Sequence, residues 1–264
     1  MTGELEVAIG AAIVAGEELM RRRELPDTGR AFKSSTTDEV SDADRSAEAI
    51  VVEAIHRAFP EDAIVSEEGA RASGRSGRRW LVDPLDGTIN WLYRIPHWSV
   101  SIACLDAEGP LAGVVFDPPR HELFHANRGE GAWLRSRDGA ERRLAVTDVA
   151  ELGFALLADG FSYDPEERRE QGRREARLLP VVRDVRRLGS AALDLAYVAA
   201  GRLDAYAEAG GQEWDWAAGR LLVTEAGGRL SEAPGVRAGS VTLVASGPAI
   251  HDALVALVRD VQRT

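Results

Sequence analysis

Apolar residues near the N-terminus recur with helical spacing. Leu5, Ile9, Ala12, Ile13, Leu19 and Met20 fall near one face and predict an amphipathic first helix. A second helix is predicted from Asp44 to Phe59, where Ala47, Ile50, Val51, Ala54, Ile55 and Ala58 keep the period and Pro60 follows. The pattern then changes. Ala63-Ile64-Val65 reads as a short strand and 69–79 as a polar loop rich in glycine and arginine. Segments 79–83, 98–105, 111–117 and 121–126 read as strands, with Gly109-Pro110 and Pro118-Pro119 as turns. Beyond residue 147, strands near 154–158, 183–188, 203–208, 228–231 and 241–245 alternate with helices over 164–180, through Ala200, near 215–226 and after Gly247-Pro248. Alternation of this kind predicts a layered α/β arrangement. The expected organisation is an α+β half over 1–147 and an α/β half over 148–264, packed as one unit.

Charge narrows the partners. A net charge of -11 over 264 residues disfavours nucleic acid and anionic membranes, which call for basic patches. Glu4 and Glu6 stand where a signal peptide would carry positive charge, and no apolar run approaches the ~20 residues of a membrane span. The single cysteine, Cys104, lies in the apolar run from Val100 to Leu105, so a buried inert thiol and a cytoplasmic protein are expected.

The candidate chemistry is acidic. Trp80-Leu81-Val82 runs into Asp83-Pro84-Leu85-Asp86-Gly87-Thr88, and the previous apolar run ends in Glu67-Glu68. Asp, Pro and Gly are turn residues, so this stretch alone reads equally as a turn. Asp44 alone reads as a favourable first-turn charge. Glu67 and Glu68, adjacent on a strand, point to opposite faces, so only one is expected to reach a site. Asp215, between Trp214 and Trp216, reads as a helix cap or as a partly buried ligand. Taken together, Glu67, Asp83, Asp86, Asp215 and the Leu85 carbonyl supply the oxygen donors that Mg²⁺ takes. Gly87-Thr88 would then open a helix whose N–H groups face an anion. A cation also reconciles an acidic chain with an anionic ligand. His121-Glu122-Leu123-Phe124-His125 matches the zinc-peptidase pattern H-E-x-x-H. Pro118-Pro119 and Asn127-Arg128-Gly129 leave about two helical turns at most, so a β-hairpin is expected there instead.

These residues resemble the inositol monophosphatase family of Mg²⁺-dependent, lithium-sensitive sugar phosphatases. The family signature D-P-x-D-G-T-x-N, closed by an aromatic residue, is met by Asp83 through Trp91, with Trp where Phe is commonest. The second signature, W-D-x-A-A-G, is met by Trp214 through Gly219. Ser66-Glu67-Glu68 matches the upstream acidic pair, and Lys33-Ser34-Ser35 followed by Asp44 matches a K-S-S segment and an Asp near a helix start.

The resemblance implies a layered αβαβα fold, a homodimer, and hydrolysis of inositol 1-phosphate or a similar small phosphate with two or three Mg²⁺. It implies a first Mg²⁺ on Glu67, Asp83 and the Leu85 carbonyl, and a second on Asp83, Asp86 and Asp215. Glu67 and Thr88 would orient the attacking water, with Asp44 supporting it or a third Mg²⁺. Gly87 and Thr88 would hold the phosphate, Asp86, Ala191 and Glu208 the polyol, and Lys33 would also meet the substrate. Relatives of this fold act on fructose 1,6-bisphosphate, histidinol phosphate, NADP or 3′-phosphoadenosine nucleotides. The lack of large insertions favours a small substrate, with specificity expected near 160–164, 189–191 and 208–213. A non-catalytic, partner-binding member is the alternative from another class. The complete acidic set argues against it, because buried carboxylates without cations are costly.

Overall fold

The computed structural model describes residues 3–24, 31, 32, 39, 40, 42–237 and 239–261. Lys33-Ser34-Ser35, and with it the expected substrate contact of Lys33, lies outside the described residues. The first half runs α1 (Glu4–Arg23), β1 (Ala31–Phe32), β2 (Glu39–Val40), α2 (Asp42–Ala58), β3 (Ala63–Ser66), β4 (Arg71–Ala72), β5 (Arg79–Asp86) and α3 (Thr88–Leu92). Then follow β6 (Ser99–Asp106), β7 (Gly109–Asp117), β8 (Glu122–Asn127), β9 (Ala132–Arg135) and β10 (Glu141–Arg143). After a 3₁₀ turn at Leu152–Phe154 come β11 (Leu156–Ala158), α4 (Pro165–Leu178), β12 (Asp184–Arg186), α5 (Ala191–Ala199) and β13 (Ala205–Ala209). The chain ends in α6 (Glu213–Glu225), β14 (Arg229–Pro234), β15 (Val241–Ser246) and α7 (Pro248–Val261).

Strand alternation builds the layers. In the eight-stranded sheet, ordered β10-β9-β8-β7-β6-β5-β3-β4, every neighbouring pair is antiparallel except β3 and β5. One face presents Trp80, Val82, Ile102, Cys104, Val114 and Phe116 to the alanine stripe Ala8, Ala11, Ala12 and Ala15 of α1 and to Ala47, Val51 and Ile55 of α2. Small side chains let α1 lie close on the sheet. The other face presents Leu81, Ala103, Val115 and Phe124 to α5, α6 and the five-stranded sheet β12-β11-β13-β15-β14, from which Tyr206, Leu243 and Ala245 join the same core. The far face of that second sheet carries Leu157, Ala205, Ala207 and Val244 under Leu178 of α4 and Ile250, Leu254 and Val258 of α7. The order of layers is therefore αβαβα. Among the described residues, no helix is long and apolar enough to cross a membrane.

Cys104 is buried, and burial pushes its thiol up to about 12. The arginine-rich segment is not a free loop: β4 lies within it, and its arginines are engaged at home. Arg71 donates to the Ser66 carbonyl at 2.8 Å, while Arg75, Arg78 and Arg79 pair with Glu61, Glu4 and Glu213. The edge strand β10 and its neighbour β9 escape the sequence pattern because they are short and β10 (Glu-Arg-Arg) is wholly exposed.

Candidate active site

Parallel pairing of β3 and β5 brings both strand ends to one edge. The Glu67 N–H donates to the Val82 carbonyl at 3.1 Å, which sets Glu67 beside Asp83. The sequence allowed a turn at Asp83–Gly87; the structure instead continues β5 to Asp86 through a bulge. Asp83 faces Ser101 and Asp86 faces Ser99, so three steps on β5 oppose two on β6. Pro84, which has no N–H to donate, sits in the bulge where the ladder does not need one. The Leu85 N–H donates to Asp83 Oδ1 at 3.0 Å, and the Leu85 side chain is buried.

Asp215 arrives from the other side as the third residue of α6. The N-cap itself is Gln212, and Asp215 helps to cap the helix from its third position. Its Oδ2 accepts the Gln212 N–H at 2.7 Å, closing a capping box, and it still offers an oxygen to the cluster. Oxygens of Glu67, Asp83 and Asp215 all lie within 4.8 Å of one another. Asp86 stands beside this triad, with Oδ2 tied to α5 by Ser190 Oγ at 2.5 Å and the Ala192 N–H at 2.8 Å. Burial first, then the negative charges of Glu67 and its neighbours, pushes Asp83 and Asp215 well above the ordinary carboxylate range. Burial likewise raises Asp86 to about 6, against the lowering effect of its hydrogen bonds. Partly buried oxygen donors that repel one another form a set that a hard divalent cation completes, so these residues fit Mg²⁺.

The remaining signature residues hold this edge in place. Gly87 has φ 93°, and Thr88 follows it into α3. Thr88 Oγ1 lies 3.1 Å from both Asp44 Oδ1 and the Leu85 carbonyl, so buried Asp44 faces the site from α2. Asn90 Nδ2 donates to the carbonyls of His97 at 2.7 Å and Leu188 at 2.8 Å, stapling α3 to the segment that enters α5. Trp91 Nε1 donates to the Leu19 carbonyl at 3.3 Å, tying α3 to the end of α1. Asn90→Ala is expected to lower stability by about 1–3 kcal/mol, because it strands two part-buried carbonyls; chemical denaturation measures it.

A cleft of about 130 Å³ leads from the carboxylates past Ala191 to Glu208. Glu208 is positioned by a relay: Trp216 Nε1 donates to the Tyr206 hydroxyl at 3.0 Å, and that hydroxyl donates to Glu208 Oε2 at 2.9 Å. A Cβ on Gly160 would sit 2.1 Å from the Glu208 carboxylate, so the glycine makes room for it. Asp159 and Asp194 also line this cleft, together with Arg187. The sequence patterns passed them over. Asp194 had a signal: it is the sole charged residue of an otherwise apolar α5. Beneath them Arg174, 2% exposed, pairs with Asp159 and donates to the Ala207 carbonyl at 3.2 Å.

Glu175 is buried beside that pair, and burial, then Asp159, pushes its carboxyl up to about 8. A raised folded-state value means stability that is fully present below the ordinary value of 4.5 and lost as pH rises through about 8. Glu175→Gln is therefore expected to melt above the parent at pH 9 and near it at pH 4.

The zinc-peptidase pattern dissolves in the fold. His121 sits in a turn at φ 51°, while His125 lies in β8 with Nε2 3.2 Å from Glu141 Oε1.

A layered αβαβα chain with a carboxylate cluster at the sheet edge defines a class of protein, and comparison with known proteins agrees. The sequence profile of the inositol monophosphatase family matches residues 2–263. This chain belongs to that family. It is 39% identical over 260 residues to the Nus factor SuhB of Escherichia coli K12, covering 97% of this chain and 96% of that one. Among solved structures it resembles the extragenic suppressor protein suhB of Bartonella henselae, with 36% identity, coverage of 96% and 97%, and a TM-score of 0.87. It also resembles an inositol monophosphatase from Anabaena, with 35% identity, coverage of 97% and 95%, and a TM-score of 0.81.

Proposed function

We propose that this protein is a Mg²⁺-dependent phosphomonoesterase acting on inositol 1-phosphate or a similar small sugar or polyol phosphate. The observation that carries the reading is the convergence of Glu67, Asp83 and Asp215 oxygens within 4.8 Å, at one end of a cleft that reaches Glu208. Glu67, Asp83 and the Leu85 carbonyl would hold one Mg²⁺; Asp83, Asp86 and Asp215 would hold another, with Asp44 supporting the water or a third. When bound, the ions neutralise charge on the phosphate and leaving oxygen and make water a nucleophile near neutral pH.

The chain's own groups position the reactants. Thr88 Oγ1 has one proton and two acceptors in reach, Asp44 Oδ1 and the Leu85 carbonyl. Donating that proton to Asp44 would leave the Leu85 carbonyl for a cation and Oγ1 to accept a hydrogen bond from water. Glu67 accepts a hydrogen bond from the other O–H of that water. The backbone N–H groups of Gly87 and Thr88 receive the phosphate oxygens. Asp86, fixed by Ser190 and Ala192, and Glu208, fixed by Tyr206, meet the polyol with Ala191 between them. The family resemblance adds lithium inhibition, a homodimer and a cytoplasmic location to this reading.

The Anabaena relative's name supports the activity. The Escherichia coli relative carries the name of a factor rather than an enzyme, which favours a second reading: a partner in a larger assembly that retains the fold. A panel of inositol 1-phosphate, fructose 1,6-bisphosphate and histidinol phosphate, with Mg²⁺ and with or without Li⁺, separates the two. Hydrolysis of inositol 1-phosphate, suppressed by Li⁺, is expected. Turnover of no ester in the presence of Mg²⁺ would leave the assembly role as the better reading.

A further inference from the structure

We propose that Asp194 is a specificity-determining residue: together with Glu208 it accepts hydrogen bonds from hydroxyls of the leaving group, selecting hydroxyl-rich phosphate esters. This rests on the phosphatase reading and names what the far end of the cleft recognises.

Asp194 lies one turn along α5 from Ala191, on the same helical face, and lines the cleft while only 1% exposed. Its Oδ1 has no hydrogen-bond partner. Buried polar atoms in folded proteins are almost always partnered, so an unpartnered carboxylate oxygen calls for an explanation. Packing does not supply one. The neighbours Ala192, Leu193, Leu195, Ala196 and Val198 are apolar and buried, so an aliphatic side chain would suit position 194 better.

A metal does not supply one either. Among the described residues, the oxygens that converge closely enough for an ion belong to Glu67, Asp83 and Asp215. The charged groups facing Asp194 are Glu208, Asp86 and Asp159, which repel it, and Arg187, which attracts it without hydrogen-bonding to it. What is missing is a donor. Glu208 is in a similar position: it lines the same cleft, and Tyr206 occupies its Oε2. Two acceptors side by side beyond Ala191 match two hydroxyls of a neutral polyol.

The experiment compares kcat/KM for myo-inositol 1-phosphate and for p-nitrophenyl phosphate, which has no hydroxyl, in the parent, Asp194→Asn and Asp194→Leu. Melting temperatures are taken alongside. Asp194→Leu is expected to lower the ratio of the two kcat/KM values about tenfold, chiefly through KM, as loss of a buried hydrogen bond to substrate does. Asp194→Asn keeps an acceptor oxygen and is expected to retain most of the ratio. Melting temperatures equal to or above the parent's are expected, since a desolvated acidic side chain with an unpartnered oxygen has been removed from an apolar helix. An unchanged ratio overturns the inference, and so does a fall in melting temperature shared by both variants, which would assign Asp194 a structural role. If the parent cleaves neither ester, the phosphatase reading fails and this inference falls with it. If the parent cleaves both and the ratio does not move, only this inference fails.

Discussion

Asp83→Asn is expected to reduce phosphate release by roughly 10³-fold or more, the scale on which removal of a group acting directly on transition-state charge is felt. Asp83 is 2% exposed, at the bulge in β5, and feels the negative charges of Glu67, Asp86 and Asp215. Asn keeps the shape and the bond from the Leu85 N–H but removes the charge that both proposed Mg²⁺ positions share. The metal-free fold should be no less stable, because the buried, mutually repelling carboxylate is gone. Its response to Mg²⁺ should vanish. In the parent, Mg²⁺ at a hundred times its dissociation constant adds about 2.7 kcal/mol. For a chain of this size that is roughly 5–10 °C of melting temperature. Paired melts with and without Mg²⁺, beside phosphate-release assays, measure both halves. Full activity in Asp83→Asn would overturn the site assignment.

Gly87→Ala carries the second large effect, through geometry. At φ 93° an L-residue meets a left-handed penalty of about 1–2 kcal/mol. A Cβ there would also stand 3.1 Å from the Gly189 carbonyl, 3.2 Å from the His97 carbonyl and 3.2 Å from Trp98 Cβ. Two of those neighbours are backbone, and Asn90 already fixes the His97 carbonyl, so relief comes by moving Thr88. A displacement near 1 Å costs about 10²-fold in rate when it misaligns a positioning group. Gly87→Ala is therefore expected to melt several degrees lower and to lose about two orders of magnitude in kcat, with Mg²⁺ affinity reduced far less. Parent-like melting and turnover would show that the strand end tolerates a side chain there.

Much of the candidate site was legible because a hard cation calls for several oxygen donors, and acids beside apolar runs are conspicuous. Glu67 and Asp83 stand out as acids at the ends of apolar runs, Asp86 as a second acid three positions on, Asp215 as an acid between two tryptophans, and Gly87-Thr88 as a helix opening. Local conformation at the same place was not legible. Pro84 reads as a turn residue, yet β5 continues through it to Asp86, because pairing with β6 absorbs one extra residue as a bulge. Sequence spacing contains no record of that pairing. The layers followed from periodicity: helical in α1 and α2, and buried on both faces in β5 to β7. Exposed edge strands such as β10 show no apolar rhythm and were missed.

Asp159 and Asp194 were missed for a different reason. Each is polar in an apolar setting, but its significance depends on which other chain segments face it, Arg174 in one case and Glu208 in the other. The Lys33 expectation lies outside the described residues.

The central claim is that these carboxylates bind Mg²⁺ and that the bound ion makes phosphate-ester hydrolysis possible. Phosphate release from myo-inositol 1-phosphate by chelator-treated protein, followed as Mg²⁺ is added back, tests it most directly. The account predicts no release without the ion and a saturable rise on adding it. Release that persists in excess chelator, or that fails to appear at any Mg²⁺ concentration, would contradict it.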